Sequence, residues 1–310
     1  MSRHPDRTGV SRRDLLRFGL GAAASLIVSP SFAATAQHMR KIPKTGETLP
    51  AIGLGTWQTF DVGQTAAERA GPREVLKLFA DQGGRVIDSS PMYGAAETVI
   101  GDLAAELGVG DRLFLATKVW TTGREDGIRQ METSFRRLRT QRLDLMQIHN
   151  LLDWKTQIRT LRDWKAQGRV RYIGITHYTE SAYDALAQVM ASEDIDFVQF
   201  NYSILSRAAE RRLLPLAQEK QIAVLVNKPF ETAGLFDKVR GKALPAWAAD
   251  IDCRSWAQYF LKFILGHPAV TCALPATAKP KHLLDNMQAG LGRLPDAATR
   301  ERMAEYLRRL

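Results

Sequence analysis

The sequence carries four side chains that can donate, accept or stabilise a proton near the ends of short apolar segments: Asp88, Tyr93, Lys118 and His149. A tyrosine phenol has a pKa near 10 in water, so it is a poor acid at neutral pH unless a nearby cation stabilises the phenolate. We expect Lys118 to be that cation and to lower the tyrosine pKa, with Asp88 keeping the lysine charged through a hydrogen bond. His149 can hydrogen-bond a carbonyl oxygen beside the phenol. The set therefore predicts a proton donor for a developing alkoxide, and a bound cofactor must supply the hydride that these residues cannot.

Each of these residues has a structural alternative when it is considered alone. Asp88 and the serines after it are typical of a turn that Pro91 stiffens and Gly94 closes. A single lysine is commonly a surface residue, and a single histidine is commonly a hydrogen-bonded core residue. The catalytic interpretation therefore depends on whether the fold brings all four side chains together.

Short apolar strands alternate with helical patterns along most of the chain. Eight strands are predicted, at 52–57, 85–90, 112–120, 142–149, 170–176, 196–203, 222–229 and 269–276. Apolar residues at helical spacing predict helices at 71–81, 97–107, 127–139, 158–167, 181–190, 209–221 and 255–265. Nearly continuous apolar strands that each precede a helix indicate an α/β fold with a parallel sheet, and eight such units in roughly 250 residues predict a single (β/α)8 TIM barrel. Active sites of such barrels lie at the carboxyl ends of the strands, where the four residues fall.

The residues before the first barrel strand predict a hairpin, and an open sheet is the alternative to the barrel. Thr45 and Gly46, between extended residues, predict a short N-terminal β-hairpin that closes the bottom of the barrel. A doubly wound open sheet is the alternative, but the segment GLGTWQ (53–58) lacks the third glycine of the dinucleotide fingerprint. We expect one barrel domain over residues 37–310.

The first 36 residues have the pattern of an export signal. Arg12 and Arg13 form an arginine pair, an eleven-residue apolar stretch follows at 18–28, and small-residue cleavage patterns end at Ala33 and Ala36. A bilayer-spanning helix needs about 20 apolar residues, so no stable membrane insertion is expected. The pattern predicts a cleaved signal, export by the twin-arginine translocation machinery and a periplasmic location. A short amphipathic helix is the alternative.

Charge and cysteine content exclude other classes of protein. The net charge of +10 falls to about +7 without the five Arg and two Asp of the first 36 residues. The remaining basic residues are scattered at helical positions, without the aromatic interleaving of a nucleic-acid surface, so no nucleic-acid partner is expected. Cys253 and Cys272 are too few for a disulfide framework, and Cys272 is expected in a buried strand, although export would allow the two to pair.

Four longer motifs resemble those of the aldo/keto reductase family. GRVIDSSPMYGAAETVIG (84–101) is similar to the signature around the family's aspartate and tyrosine, and METSFRRLRTQRLDLMQIH (131–149) to the stretch that leads to its histidine. KAQGRVRYIGITHY (165–178) resembles a segment that usually ends in Gly-Val-Ser-Asn-Phe, and LPATAKPKHLLDN (274–286) resembles the adenosine-phosphate segment. The resemblance covers about residues 40–290. It implies NADP(H) bound across the barrel mouth, a small-molecule carbonyl substrate and reversible interconversion of carbonyl and alcohol.

The same resemblance assigns roles to individual residues. It implies a catalytic tetrad of Asp88, Tyr93, Lys118 and His149. It implies cofactor contacts at Thr176, His177, Gln199, Asn227, Lys228, Pro229, Phe230, Thr277, Lys281, His282, Asp285 and Asn286. Thr176 and Gln199 correspond to positions near the carboxamide, and Asp285 and Asn286 to positions near the adenine. Trp57 and Trp120 fall where aromatic pocket walls usually stand, with core packing of Trp57 as the alternative.

Several cofactor positions depart from the family pattern. Asn227 stands where an aromatic side chain commonly stacks on the nicotinamide, and His177 replaces an amide that usually contacts the carboxamide. Ala276 and His282 replace the Lys and Arg often found on the 2′-phosphate, and a neutral histidine is a weaker phosphate partner than arginine. Three lysines can compensate, so NADP(H) is favoured and NAD(H) is the alternative: Lys228, Lys279 and Lys281. The closing residues, MAEYLRRL, do not resemble the long tail that usually covers the substrate, so an open pocket with loose specificity is expected.

The sequence thus predicts an NAD(P)H-dependent carbonyl reductase with Tyr93 as its proton donor. A non-enzymatic nucleotide sensor or binding subunit on the same barrel is the alternative that the changes at Asn227 and His177 favour. A metal-dependent barrel hydrolase would need a His-x-His on an early strand, which 52–57 and 85–90 lack, so no metal site is expected. Export combined with an intact tetrad further predicts that the protein leaves the cytoplasm folded around a tightly bound cofactor.

Overall fold

Eight parallel strands close into a barrel in the computed structural model, which describes residues 37–310. A hairpin of β1 (Met39–Lys41) and β2 (Thr48–Pro50) precedes the barrel. The barrel strands are β3 (Leu54–Gly55), β4 (Val86–Asp88), β5 (Phe114–Val119), β6 (Leu143–His149), β7 (Val170–Thr176), β8 (Phe197–Asn201), β9 (Ala223–Asn227) and β10 (Val270–Ala273). Each pairs with its neighbour in the chain, and the first meets the last through bridges from Ile52 to Ala273 and from Gly55 to Ala276. The predicted (β/α)8 barrel is confirmed, with strands shorter than the apolar segments because pairing stops where each loop begins.

The predicted hairpin lies beneath the barrel and fills its lower end. Its strands pair in antiparallel register, and Gly46 in the turn has a φ of +75°, which glycine adopts without strain. Ile42 and Leu49 from the hairpin are buried against inward-facing residues of the barrel strands, among them Phe114 and Tyr172. This core fills the lower end of the barrel, opposite the carboxyl ends of the strands, where the four candidate catalytic residues lie.

Ten α-helices accompany the strands within the described residues. They are α1 (Ala66–Asp81), α2 (Ala96–Leu107), α3 (Arg124–Arg137), α4 (Trp154–Ala166), α5 (Tyr183–Ser192), α6 (Leu213–Glu219), α7 (Gly234–Lys238), α8 (Trp256–Leu265), α9 (Pro280–Gln288) and α10 (Ala297–Arg309). All seven predicted helices are present, as α1–α6 and α8. A second, larger core lies between this helical layer and the outward-facing side chains of the barrel.

The helix boundaries differ from the predictions at identifiable places. α1 begins before residue 71 because Thr65 and Glu68 form a capping box, which satisfies its first backbone donors. α6 begins at Leu213 because the preceding turn is a separate 3₁₀ helix, Ala208–Arg211. α7, α9 and α10 were not predicted. α7 is only five residues long, and α10 is mostly polar, so neither has a clear apolar stripe.

Two further sequence predictions are addressed by the described residues. Cys253 and Cys272 are both buried free thiols, so the alternative in which they pair is wrong, and Cys272 lies in β10 as expected. None of the described helices is long and apolar enough to cross a membrane. The export signal predicted for residues 1–36 lies outside the described range.

Candidate active site

Three adjacent strands deliver the four predicted catalytic residues to one end of the barrel. Asp88 ends β4, Lys118 is the penultimate residue of β5, His149 ends β6, and Tyr93 lies in the loop after β4. The parallel register pairs Asp88 with Ala116 and Lys118 with Gln147, so the three functional residues are staggered by two positions from each strand to the next at the same end of the barrel. The carboxyl ends of the barrel strands and their loops are called the mouth below. All four side chains are largely or fully buried there, so the convergence on which the catalytic interpretation depends is present.

A buried ion pair forms the base of the mouth. The Lys118 ammonium donates hydrogen bonds to Asp88 Oδ2 at 2.6 Å and to the carbonyl oxygen of Ser89 at 2.6 Å. Gln147 Nε2 donates to the other carboxylate oxygen, Asp88 Oδ1, at 3.1 Å. Burial acts to lower the lysine pKa, but the charge of Asp88 and then the phenol of Tyr93 act against it, so the pKa of Lys118 lies above its usual value. Lys118 is therefore a fixed cation, as the sequence predicts.

Tyr93 lies directly above this cation. The Lys118 ammonium is 5.1 Å from the centre of the tyrosine ring. Burial raises the pKa of Tyr93 above its usual value, and the lowering by Lys118 offsets only part of that effect. The expected net lowering of the tyrosine pKa is therefore wrong for the free protein, because desolvation of a phenolate outweighs one cation. The consequence is a phenol that keeps its proton at neutral pH, which a proton donor requires.

His149 faces Tyr93 as a neutral imidazole. Burial, and then the charges of Lys118 and His177, lower the pKa of His149 to about 2. Its Nδ1 lies 3.0 Å from the Ser90 hydroxyl, which itself accepts a hydrogen bond from the backbone N–H of Met92 at 3.4 Å. In the tautomer in which the hydroxyl donates to Nδ1, the imidazole proton resides on Nε2. The His149 ring meets the Tyr93 ring edge-on at 5.9 Å between centroids, so in this tautomer an Nε2–H donor lies beside the phenol.

Two residues of this arrangement were not predicted from the sequence. Gln147 orients Asp88, and Ser90 forms a hydrogen bond with Nδ1 of His149. Gln147 could have been found, because it lies two residues before His149 on β6 and the two-residue period of a strand places both on the inner face. Ser90 could not, because its direction depends on the backbone of the loop after β4.

The predicted carboxamide site lies across the next strands of the mouth. The Thr176 hydroxyl at the end of β7 donates to Gln199 Oε1 on β8 at 3.1 Å. That bond turns the amide nitrogen of Gln199 away from Thr176, and this buried Nε2 has no hydrogen-bond partner within residues 37–310. Buried unpaired donors are rare in folded proteins. An amide oxygen of a bound nicotinamide is the acceptor that this donor fits.

Hydrogen bonds connect the predicted cofactor residues at the ends of β7 and β9 to the neighbouring loop backbone. The His177 ring accepts hydrogen bonds from the backbone of Tyr178 at 3.0 Å and of Thr179 at 3.3 Å, so it organises its own loop. Asn227 Nδ2 donates to the carbonyl oxygen of His177 at 3.4 Å. Among the other predicted contacts, Lys228 has a φ of +49°, Pro229 is buried, and Phe230 packs on Phe236.

The predicted adenosine-phosphate residues lie on and just before α9. Lys281 and His282 are exposed in its first turn, and Thr277 accepts a hydrogen bond from the backbone of Lys279 at 3.0 Å. Burial, and then Lys281 and Lys279, lower the pKa of His282, so it is uncharged at neutral pH and contributes less to an anion site than the lysines. Asn286 is buried, and Asp285 Oδ1 accepts from Ser255 at 2.9 Å and Gln258 at 2.6 Å. Asp285 is thus partly engaged in holding α9 against α8.

Large apolar side chains stand exposed at the mouth. Trp57 is 47% exposed and Trp120 is 40% exposed, with the Trp120 ring 6.4 Å from that of His149. The alternative in which Trp57 packs in the core is therefore wrong. No group of metal-ligating side chains occurs among the described residues.

Comparisons with known proteins agree on one family. The model of the aldo/keto reductase family matches residues 51–302. A methylglyoxal reductase of Escherichia coli (strain K12) is 30% identical over 246 residues, which cover 77% of this chain and 84% of that protein. The crystal structure of an aldo/keto reductase from Klebsiella pneumoniae in complex with NADP and acetate has 28% identity and a TM-score of 0.69, covering 84% of this chain and 93% of that one. A second structure from Klebsiella pneumoniae, in complex with NADPH, has 26% identity and a TM-score of 0.71, covering 88% and 95%.

Proposed function

Since the chain belongs to the aldo/keto reductase family, we propose that it is an NADPH-dependent oxidoreductase that reduces small aldehydes or ketones to alcohols, with Tyr93 as the proton donor. The observation that carries this function is the buried Lys118–Asp88 ion pair beneath a phenol that keeps its proton. The Gln199 donor without a partner fits the nicotinamide, and the similar structures from Klebsiella pneumoniae are complexes with NADP and NADPH. The mouth thus offers both a proton source and a cofactor site.

Each residue of the tetrad has a separate role in the proposed reaction. His149 donates its Nε2–H to the carbonyl oxygen and holds that oxygen beside the Tyr93 hydroxyl. NADPH supplies hydride to the carbonyl carbon when it is bound. As negative charge develops on the oxygen, Tyr93 transfers its proton to it, and the Lys118 ammonium stabilises the phenolate that remains. Asp88, held by Gln147, keeps Lys118 protonated throughout.

The substrate we propose is a short carbonyl compound such as an α-oxoaldehyde. A similar protein from Escherichia coli is named a methylglyoxal reductase. Trp57 and Trp120 are exposed at the mouth and offer apolar surface to a small substrate. A sensor that binds the nucleotide without chemistry is the second candidate, which the change at Asn227 favours and the complete tetrad opposes.

The Tyr93→Phe variant tests the proposed chemistry. Loss of the proton donor should lower kcat for methylglyoxal by about 10²- to 10⁴-fold, the usual contribution of a positioned acid, while the Kd for NADPH stays near that of the parent. Tyr306→Phe on α10, where the tyrosine packs on Trp247, is the matched control and should keep full activity. Near-normal turnover in Tyr93→Phe would contradict the mechanism. NADPH binding without turnover of any tested carbonyl by the parent would favour the sensor.

We also propose that the first 36 residues direct export by the twin-arginine route to the periplasm. The support is the sequence itself, in which Arg12 and Arg13 precede an apolar stretch at 18–28. Because this route carries folded proteins, the barrel would travel with its cofactor bound.

Cell fractionation of the full chain tests the proposal. The parent should reach the periplasm in a shortened form, and the double change Arg12→Lys with Arg13→Lys should retain it in the cytoplasm. Protein purified from the periplasm should release one nicotinamide nucleotide per chain on denaturation. Cytoplasmic location of the parent would contradict export, and nucleotide-free periplasmic protein would contradict transport of the bound cofactor.

A further inference from the structure

Asn227 is the most marked departure from the family pattern at the mouth, and the structure shows how its amide is held. The residue ends β9, directly beside β8, which carries Gln199. Asn227 Nδ2 donates to the carbonyl oxygen of His177 at 3.4 Å, which fixes the orientation of the amide. Its other atom, Oδ1, is buried and has no hydrogen-bond partner within residues 37–310. This side chain lacks the large aromatic face that commonly covers the nicotinamide, but it offers an unused acceptor.

Gln199 is held in the complementary way. Its Oε1 is occupied by the Thr176 hydroxyl at 3.1 Å, which leaves Nε2 as a buried donor without a partner in the described chain. The backbone of His177 is hydrogen-bonded to both residues, because its N–H donates to the backbone carbonyl oxygen of Gln199 at 3.0 Å and its carbonyl oxygen accepts from the Asn227 side chain at 3.4 Å. The residues that carry the unpaired donor and the unpaired acceptor are therefore joined through one residue of the mouth.

This pair matches the two halves of a primary carboxamide. A carboxamide presents one carbonyl oxygen that accepts and one NH2 group that donates. Leaving both protein atoms buried and unpaired costs free energy that a ligand with the complementary pattern recovers. The His177 ring does not supply the acceptor, because Nδ1 already accepts from the backbone of Tyr178 and Thr179 and the proton of the neutral ring then lies on Nε2.

We propose that Asn227 is a positioning residue for the cofactor, whose Oδ1 accepts a hydrogen bond from the carboxamide NH2 group of the nicotinamide while Gln199 Nε2 donates to the carboxamide oxygen. The assignment rests on the proposed function, because it requires a nicotinamide at the mouth. Asn227 thus provides a hydrogen bond to the carboxamide in place of the stacking contact that an aromatic residue would make with the nicotinamide ring. The chain should therefore discriminate strongly between pyridine nucleotides that differ only in that group.

Binding titrations followed by tryptophan fluorescence test this, with NADP⁺ and its 3-acetylpyridine analogue as ligands. The analogue carries a methyl group in place of the NH2 group and keeps the adenosine and phosphates unchanged. The parent should bind the analogue about tenfold more weakly than NADP⁺, the usual effect of one lost hydrogen bond to a buried group. Asn227→Leu should bind NADP⁺ about tenfold more weakly than the parent does and should bind the two ligands with nearly equal Kd values. Asn227→Asp, which keeps an acceptor oxygen, should retain the preference for NADP⁺.

Asn201→Leu is the matched control. Asn201 lies opposite Asn227 in the strand register, but both halves of its amide are satisfied by the protein, through Ser206 at 3.2 Å and Tyr183 at 3.1 Å. Its replacement should leave the ratio of the two Kd values at that of the parent. An unchanged ratio in Asn227→Leu, or a parent ratio near one, would overturn the assignment while leaving the reductase intact. A parent that binds neither NADP⁺ nor NADPH would overturn the proposed function as well.

Discussion

The proton donor Tyr93 and the carbonyl partner His149 share one buried mouth and respond to burial in opposite directions. Burial disfavours whichever form is charged, so it raises the pKa of the phenol and lowers that of the imidazole to about 2. Both groups are thereby neutral hydrogen-bond donors at neutral pH. Lys118 stays charged in the same surroundings because Asp88, and then Tyr93, raise its pKa against the effect of burial. At the scale of residues, the mouth combines one ion pair with two neutral donors.

The pH dependence of carbonyl reduction should reflect these ionisations. Tyr93 donates a proton only in its phenol form, and its raised pKa keeps that form populated below about pH 10. His149 does not titrate near neutrality, because its pKa is about 2. The rate of the hydride-transfer step, measured by stopped flow at saturating NADPH, should therefore be level across neutral pH and fall only in strongly alkaline solution, while alcohol oxidation should rise there. An inflection near pH 6.5 that remained in His282→Gln would mean that His149 is protonated in that range, contrary to this account.

The loop after β4 is the element that places Tyr93. Its residue Gly94 has a φ of +57°, and the Asp61 carboxylate from the preceding loop accepts the backbone N–H of Ala95 at 2.8 Å, which caps α2. The Tyr93 backbone is held on both sides, since its N–H donates to Ser90 at 3.0 Å and its carbonyl accepts from Ala96 at 3.1 Å. A strand end, a tight turn and a helix cap together determine where the phenol lies.

Gly94→Ala should destabilise the protein by more than the cost of a left-handed backbone alone. A β-carbon at Gly94 would lie 2.1 Å from Asp61 Oδ1, so the carboxylate must move away and uncap α2. The left-handed backbone costs roughly 1 kcal/mol and loss of the cap roughly another 1 kcal/mol. Urea unfolding should therefore show a loss of about 2 kcal/mol, and kcat should fall as well because Tyr93 loosens.

Gly83→Ala is the matched control for the backbone effect alone. Gly83 has a φ of +79°, and a β-carbon there would meet nothing within 4 Å. This variant should lose about 1 kcal/mol with kcat unchanged. Equal effects of the two substitutions on stability and on kcat would contradict the role assigned to Asp61.

At the scale of the whole molecule, α10 is tied to the barrel by buried polar contacts. Arg300 donates to the carbonyl oxygen of Phe263 on α8 at 2.9 Å and to Glu210 Oε1, in the turn after β8, at 2.6 Å, and it also contacts the Tyr202 hydroxyl. The Arg300 side chain is only 7% exposed. One side chain therefore joins the last helix to two segments that are distant in sequence.

Arg300→Ala should lower the free energy of unfolding by about 2 kcal/mol, because it leaves the buried carbonyl oxygen of Phe263 without its donor and leaves Arg207 as the remaining arginine partner of Glu210. Arg309→Ala, on the same helix in an exposed pair with Glu305, should cost less than about 0.5 kcal/mol. Urea denaturation of both variants measures the difference. Similar losses would mean that the network at Arg300 contributes no more than a surface ion pair.

The sequence alone determined the architecture and the location of the catalytic residues. Alternating apolar strands and amphipathic helices permit few folds, and a parallel barrel places every strand end at the same mouth. Asp88, Lys118 and His149 therefore had to meet once their strands were recognised. The seven helices with clear apolar stripes were found for the same reason.

Tertiary structure decided what depends on burial and on the conformation of loops. The direction of the Tyr93 pKa shift follows from how completely the phenol is buried, which no spacing encodes. Ser90 reaches His149, and Asn227 reaches His177, only through the particular backbone of the loops that follow the strands. Arg300 and Glu210 are 90 residues apart in the chain and meet because the barrel closes. The spacing of apolar residues predicts local strands and helices. Polar pairs between distant segments form only when the chain folds, so the spacing does not predict them.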